Sequence, residues 1–443
     1  MTFQWMNGCG FSPQAKKDSG EVVMKVDFSV RGMRDYYPEV YHRVGHIFSA
    51  WRRAALSYGF EEFDGPVIET LELYKVKSGE EIVSQLYNFT DKGGRELALR
   101  PELTPTLARM VAKVHNQMQK PMKWFSIPRC MRYEKPQKGR LREFFQFNVD
   151  VLGEKSEMAD LEVILVAIES LILLGLGKSD FVVKINNRNF VSEYLAAIGI
   201  DEQKTQALYK IVDNARKVPK AFTSEKMNEI GLSDDQMRAV ERYLALHGPE
   251  DIKEITERNS GKNSLLDLFS LFRTAGVQEY CEFDPTIVRG LDYYTGTVFE
   301  IFDRSEKMRA VCGGGRYNNL LKAFSGVEIP ACGFGMGDVV LGEILAEKGM
   351  IPEYRKKIDY FLVRVSDREL QIMHRVARTL RSRGMAVEYV YNLIPVKKQM
   401  SRAAKIPAKK VLILGADEIS DGLLVEKDME TGAETRVSID SFV

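Results

Sequence analysis

Within the stretch "LREFFQFNVDVLG", Leu141 to Gly153, residues 145–151 alternate strictly between apolar and polar. Phe145, Phe147, Val149 and Val151 fall on one side; Gln146, Asn148 and Asp150 fall on the other. A period of two predicts a strand with one face in a core. A strand facing water usually carries Lys, Glu, Thr or Arg on its wet side. This one carries two amides and a carboxylate, directly behind a cluster of arginines. Three short hydrogen-bonding groups aimed from one strand face suit a polar ligand better than water.

The arginines belong to the strand that precedes it. "WFSIPRCMRYEKPQKGRLREFFQFNVDVLG" reads as strand, polar loop, strand, which is an antiparallel hairpin. Cys130, Arg132 and Glu134 share one face of the first strand. Lys135, Lys138 and Arg140 lie in the loop, and Arg142 opens the return strand. Guanidinium groups suit phosphate because their fork matches two oxygens at once. A charged hairpin tip is by itself ordinary solvated surface. It gains weight here from the Gln146, Asn148, Asp150 face that follows.

Before the hairpin, residues 40–58 carry a helical apolar stripe through Val40, Val44, Ile47, Phe48, Trp51 and Ala55. "YGFEEFDGPVIET" predicts a turn and an edge strand containing Pro66, since proline cannot donate to a ladder. "ELALRPELTPT" predicts a short strand running into a loop or helix start at Pro101, with Arg100, Glu102 and Thr104 nearby. After the hairpin, residues 157–176 form a helix. From about 190 to 262 the texture is that of a helical insertion rich in Lys, Glu and Ala. Strands resume at "TIVRGLDYYTGTVFEIFD" and "RAVCGGGRYNNL", and "ACGFGMGDVVLGEIL" passes from strand through a glycine-rich turn to helix. "CGGGRYNNL" lacks the Gly-Lys-Ser/Thr ending of a phosphate loop and opens no dinucleotide-binding unit. After the linker-like "MIPEYRKKID" at 350–359, strand and helix alternate in a way that predicts a compact α/β domain with a mixed sheet.

Length and composition bound the class. The 443 residues suggest more than one domain, and 44% hydrophobic with 28% charged residues is ordinary for a soluble protein. The longest apolar run, Val163–Leu176, is broken by Glu169 and Ser170 and falls short of the ~20 residues a membrane span needs. No secretory signal is apparent in the first 30 residues, and five scattered cysteines without a CxxC pair predict neither a disulfide framework nor a zinc ribbon. A reducing, cytoplasmic setting fits. His42 and His46 are four apart on a helix but have no visible third ligand, so no metal site is expected. A net charge of +1 gives no global sign of nucleic acid, and any such partner must be held by local patches.

One such patch lies near the C-terminus. Between Asn392 and Gly415 stand Lys397, Lys398, Arg402, Lys405, Lys409 and Lys410, with no acid among them. A solvated helix face normally mixes signs. A single-sign run is the footprint expected of phosphate-backbone contact.

Several rare strings in a fixed order identify a family. The chain resembles the histidine–tRNA ligases, a branch of the class II aminoacyl-tRNA synthetases, from about Val30 to the C-terminus. "GPVIE" is similar to their motif 1, a dimer-forming element, and "RCMRYEKPQKGRLREFFQFNVDVLG" to motif 2. "RGLDYYTGTVFE" and "CGGGRYNNL" resemble the two strings specific to the histidine enzymes, and "KINNRN" opens a segment like the family's insertion.

The resemblance implies an α+β catalytic domain at 28–350, built on the antiparallel sheet of class II synthetases. It implies the helical insertion at about 190–262, an anticodon-binding domain at 357–443, and an N-terminal extension at 1–27. It implies ATP and Mg2+, L-histidine and tRNA(His) as partners, a homodimer, and no membrane.

By the same resemblance Gln146 binds the amino acid's backbone groups, and Asp150 holds the imidazole N–H. Tyr294 and Tyr317 complete the ring pocket, and Glu102 and Thr104 hold the α-ammonium. Arg132 binds the ATP α-phosphate, with Arg289 opposite. Glu134, Arg140 and Arg142 fall on the ATP side. Gln137 and Arg140 face the tRNA acceptor end, and Lys397, Lys398 and Arg402 contact tRNA from the C-terminal domain.

One departure stands out. Class II motif 3 offers an arginine in "GxGxGxER", whereas this chain reads "GFGMGDVVLGEIL" and has Val340 in that place. Arg142 and Arg316 are the candidate substitutes. A non-catalytic relative that regulates the first step of histidine biosynthesis is a second reading. It is opposed by the intact tail and the intact "RGLDYYTG". A class II ligase for another amino acid is a third, opposed by Asp150 and both histidine-specific strings.

Overall fold

The alternating stretch forms a ten-residue strand, Glu143–Leu152, inside a large sheet. The computed structural model describes residues 29–75, 85–215, 218–255, 259–288 and 294–442. The N-terminal extension expected at 1–27 lies outside them. The chain falls into two compact units, one ending at Pro352 and the other Glu353–Val443.

In the first unit the strands are β1 (Glu61–Glu62), β2 (Ile68–Thr70), β3 (Asn88–Thr90), β4 (Glu96–Leu99), β5 (Met122–Ser126) and β6 (Arg129–Met131), then β7 (Glu143–Leu152), β8 (Phe181–Asn187), β9 (Cys281–Phe283), β10 (Thr297–Asp303), β11 (Cys312–Arg316) and β12 (Ala331–Gly337). The main sheet runs β1-β5-β7-β12-β11-β10-β8-β9, with β6 also on β7; β2, β4 and β3 form a separate small sheet. Pairing is antiparallel except at the outer pairs β1–β5 and β8–β9. The hairpin read from the sequence is present as β5 and β6 against β7.

The apolar side of β7 faces a helical layer that includes α1 (Pro38–Ser57) and α3 (Glu157–Ile172); α2 (Thr104–Val114) lies between them in the chain. Trp51 of α1 stacks on Phe147 at 5.4 Å with the rings 12° apart. Both are fully buried, as are Phe125 and Val149 beside them. Each such side chain contributes ~1.5–3 kcal/mol from burial. This is why the stripe on α1 and the alternation on β7 share one core.

Two local readings change, and at Pro101 the loop replaces the helix start. Pro66 lies between β1 and β2, outside either strand, where its missing N–H costs no ladder bond. The helix after "ELALRPELTPT" starts at Thr104, with Pro105 in its first turn, so Pro101–Leu103 form a loop in front of it. The glycines of "GFGMG" make no turn: they are strand, and Asp338 begins helix α11 (Asp338–Glu347) directly after Gly337. The insertion's helices α4 (Arg188–Ala197), α5 (Glu202–Asn214), α6 (Lys220–Glu229), α7 (Asp234–Leu244), α8 (Pro249–Lys253) and α9 (Ser260–Thr274) extend past 262, and α10 (Leu320–Ser325) follows β11.

The second unit runs β13 (Ile358–Arg364), α12 (Leu370–Ser382), β14 (Val387–Tyr389), α13 (Val396–Lys405), β15 (Ala408–Leu414), β16 (Leu423–Asp428) and β17 (Glu434–Ser438). Its order is β14-β13-β15-β16-β17, parallel across the first three strands and antiparallel beyond, which is the mixed sheet expected. No helix among the described residues is long and apolar enough to cross a membrane.

Candidate active site

Rows of side chains cross the polar face of the main sheet. In one row Asp150 pairs with Gly333, Gly333 with Gly315, Gly315 with Val298, and Val298 with Asn186. In the next, Asn148, Gly335, Gly313, Glu300 and Lys184 follow the same order. The glycines have a spatial reason. A Cβ on Gly333 would stand 2.1 Å from Asp150 Oδ1, and one on Gly335 would stand 2.4 Å from Gln146 Nε2. The polar side chains of β7 lean over β12, and only glycine leaves them room.

A small cavity of about 70 Å³ opens above these rows, and it gathers Glu102, Thr104, Gln146, Asp150, Tyr294 and Tyr317. Asp150 is buried, and the Tyr317 hydroxyl donates to its Oδ1. Its Oδ2 is buried without a hydrogen-bond partner among the described residues. Burial pushes the Asp150 carboxyl up to about 7, against the pull of the Tyr317 hydrogen bond. Asn148 lines the same cavity, and its Oδ1 is also buried and unpartnered. Its place on the polar face was visible in the sequence; that it needs a donor was not. The Cys130 thiol, pushed up to about 12 by burial, stays protonated and faces Gln146 Oε1 at 4.0 Å.

A larger cavity of about 840 Å³ shares Arg132, Gln146, Gly313 and Gly335 with the small one. Arg132 therefore stands where the two meet. Its Nε donates to Pro101 O at 3.0 Å, which ties it to the loop carrying Glu102, and its guanidinium lies 5.3 Å over the Phe144 ring. Arg140 and Glu134 form an ion pair in the wall of the larger cavity. Gln137 is exposed on the tight turn Gln137–Arg140, where Gly139 has φ +73°. That turn docks on α11: the Gly139 N–H donates to Glu343 Oε1 at 3.2 Å, and Lys138 reaches Glu347 at 3.2 Å.

The two suggested substitutes for the motif 3 arginine are both committed elsewhere. Arg316 is buried in a pair with Asp160 and also donates to the Glu154 and Ser156 carbonyls. Arg142 donates to Glu134 O at 3.1 Å and Arg31 O at 3.3 Å, and its guanidinium lies 4.5 Å over Tyr133. Neither lines the larger cavity. Val339 and Val340 do line it. Asp338 before them is fully buried and accepts from Arg34 at 2.7 Å and from the Phe145 N–H at 2.8 Å. Arg289 lies outside the described residues. Sequence reasoning missed Lys184, Glu300, Lys307 and Arg309, which also line this cavity. They carry no motif. Lys184 and Glu300 end up as neighbours through strand pairing, and Lys307 and Arg309 join them from the loop after β10.

A family model described as histidyl-tRNA synthetase matches residues 32–337, about two thirds of the chain. The chain belongs to the histidyl-tRNA synthetase family. A histidine–tRNA ligase of Opitutus terrae is 41% identical over 422 residues, covering 92% of this chain and 95% of that protein. One from Leptospira biflexa is 38% identical over 405 residues, covering 90% and 92%. The crystal structure of the histidyl-tRNA synthetase of Nostoc superposes with a TM-score of 0.78 at 25% identity, covering 94% of this chain and 98% of that one. A Bacillus halodurans structure described as an ATP phosphoribosyltransferase regulatory subunit/histidyl-tRNA synthetase gives 0.71 at 25% identity, covering 87% and 97%.

An anticodon binding domain model matches residues 359–443, the second unit of this family member. Lys397, Lys398 and Arg402 are exposed on α13. The run is less uniform in space than in sequence. Lys409 pairs with Asp359, Lys410 with Glu426, and Arg402 lies 4.0 Å from Glu388. Lys397, Lys398 and Lys405 have no ion pair among the described residues.

Asp150 makes stability depend on pH. Between pH ~4 and ~7 the folded protein keeps a proton that the unfolded chain releases, so stability falls as pH rises through that window. Ionising the buried carboxyl costs on the order of 2–4 kcal/mol. Asp150→Asn is therefore expected to raise the thermal unfolding midpoint at pH 8 and to change it much less at pH 5. Scanning calorimetry at the two pH values checks this; equal shifts at both would mean that Asp150 ionises without penalty.

Proposed function

We propose that the chain is a working histidine–tRNA ligase that activates histidine with ATP and then charges tRNA(His). The observation that carries this reading is the buried Asp150 carboxylate, with Oδ2 unpartnered, in a small cavity whose mouth holds Arg132. An imidazole N–H is the donor that Oδ2 needs. A site built around such a pair rejects analogues lacking the donor by ~10⁴ or more. Tyr294 and Tyr317 flank the ring, Gln146 and Asn148 bind its polar neighbours, and Glu102 with Thr104 takes the α-ammonium.

In the first step a histidine carboxylate oxygen attacks the α-phosphorus of ATP. A new P–O bond forms, the bond to the bridging oxygen of the β-phosphate breaks, and pyrophosphate leaves with the electron pair. Arg132, at the junction of the cavities, stabilises the charge gathering on the α-phosphate oxygens. Arg289 acts from the other side in this reading, on resemblance alone. In the second step the terminal ribose hydroxyl of tRNA attacks the adenylate carbonyl, loses its proton, and AMP departs. Gln137 and Arg140 meet the acceptor end. Glu134, through its pair with Arg140, positions that side chain. Mg2+ would arrive with ATP: among the described residues no group of three or more His, Cys, Asp or Glu is placed to hold a metal ion, and no step is routed through one.

ATP–pyrophosphate exchange tests the reading. Histidine alone among the amino acids is expected to support it without tRNA. Arg132→Ala is expected to cut exchange by ~10²–10³ with histidine binding retained. Exchange with no amino acid, in well-folded protein, would favour a regulatory role of the kind named for the Bacillus halodurans relative.

The second unit, with Lys397, Lys398 and Arg402, contacts the tRNA. Deleting residues 357–443 is expected to impair tRNA charging far more than exchange, and the difference is expected to shrink as salt rises. A parallel fall in both would make the unit a brace for the catalytic fold.

A homodimer in the cytoplasm completes the proposal. Around the motif 1 strand Val67, Ile68 and Phe89 are 43%, 46% and 44% exposed, an apolar cluster suited to a second copy. Sedimentation at micromolar concentration is expected to give twice the 50.4 kDa chain mass; a monomer would contradict it.

A further inference from the structure

We infer that Arg309, on the loop between β10 and β11, binds the pyrophosphate end of ATP. The inference rests on reading the larger cavity as the ATP site. That cavity must hold a polyanion, yet most of its cations are already engaged. Lys184 is buried between Asp284 at 3.4 Å and Glu306 at 2.5 Å, and Arg140 pairs with Glu134. Arg132 is tied to Pro101 O at the junction, beside the small cavity. The start of α11 supplies no cation to the wall: Asp338 is committed to Arg34 and the Phe145 N–H, and Val339 and Val340 follow. Arg309 and Lys307 remain, both in the wall and both without an ion pair among the described residues.

Backbone geometry favours Arg309. The Gly337 N–H donates to Val311 O at 3.1 Å, so the chain just before β11 runs beside the end of β12 and the start of α11. Arg309 is two residues before that bond. It therefore reaches the cavity from the loop that leads into the neighbouring strand, at the end remote from Asp150. The loop is held in shape. The Met308 N–H and the Ser305 hydroxyl both donate to the Asp303 carboxylate, and the Glu306 N–H donates to Asp303 O at 2.9 Å. Glu306 sits at φ +50°, a conformation unfavourable for a non-glycine residue, and its ion pair with Lys184 holds it there. A guanidinium carried on a braced loop binds two phosphate oxygens at a smaller entropic cost than one on a free loop.

Steady-state exchange and pyrophosphorolysis by the full-length protein test this. Arg309→Ala is expected to raise KM for MgATP and for inorganic pyrophosphate by ~10- to 100-fold, the loss of a charge-assisted contact. KM for histidine and inhibition by AMP are expected to stay within about threefold, because neither ligand carries the pyrophosphate group. Arg309→Lys, which keeps the charge, is expected to recover part of the loss. Unchanged KM for MgATP and pyrophosphate would overturn the inference. So would a parallel rise for AMP or histidine, which would mark Arg309 as a support for the pocket. Arg132→Ala separates the two levels: if it weakens exchange while Arg309→Ala does nothing, only this inference fails. If neither variant affects the ATP reaction, the assignment of the cavity to ATP fails with it.

Discussion

Strand β7 has to bury both of its faces, and the rest of the catalytic unit answers that demand. The apolar face is covered by aromatic packing, with Trp51 flat against Phe147. The polar face cannot be buried that way, because an amide or carboxylate removed from water without partners costs several kcal/mol. It is covered instead by neighbours that have no side chains. Gly333 and Gly335 give Asp150 and Gln146 space to lean across the sheet, and the volume above them becomes the small cavity. Two acceptors there, Asp150 Oδ2 and Asn148 Oδ1, have no hydrogen-bond partner among the described residues. Binding specificity and this local instability thus share one origin: a ligand that donates at these points removes a cost already present in the fold.

Asp338 couples that sheet to the wall of the larger cavity. Fully buried, it joins the Phe145 N–H on β7 and Arg34 ahead of α1 to the first turn of α11. A carboxylate at this point serves the fold, and the helix start then turns valines toward the cavity. Positive charge reaches it from elsewhere: Arg132 and Arg140 from the hairpin, Lys184 from β8, and Lys307 and Arg309 from the loop after β10. The hairpin tip is docked on α11 through Gly139 and Lys138, so Arg140 is carried on a supported turn. Electrostatic stabilisation depends on charges held in place before reaction, and both loops that carry them are braced.

The strand alternation, the helical stripe, the hairpin and the mixed C-terminal sheet were all legible in the sequence, because each rests on local periodicity. Gln146 and Asp150 on β7, with Arg132, Glu102 and the two tyrosines, were named through a resemblance carried by rare strings, and the structure gathers them around one cavity. Three classes of fact were not. The glycines of "GFGMG" read as a turn because their function is the absence of side chains beneath a neighbouring strand. Arg142 and Arg316 read as available guanidiniums because their partners, Arg31 O and Asp160, are far away in the chain. The basic run near the C-terminus read as unpaired because Asp359 and Glu426, which neutralise two of its lysines, lie on other strands.

The sequence alone determined which residues alternate, which strings recur and in what order, and from these the family, the two kinds of sheet and the polar face of β7. Tertiary structure decided what each charge meets. Periodicity is set within a few residues, whereas an ion pair or a cavity wall is set by side chains brought together from distant segments. Arg316 and Arg309 stand seven residues apart in the same region of chain. Packing buries one against Asp160 and leaves the other in the cavity wall, a difference that no local pattern of residues records.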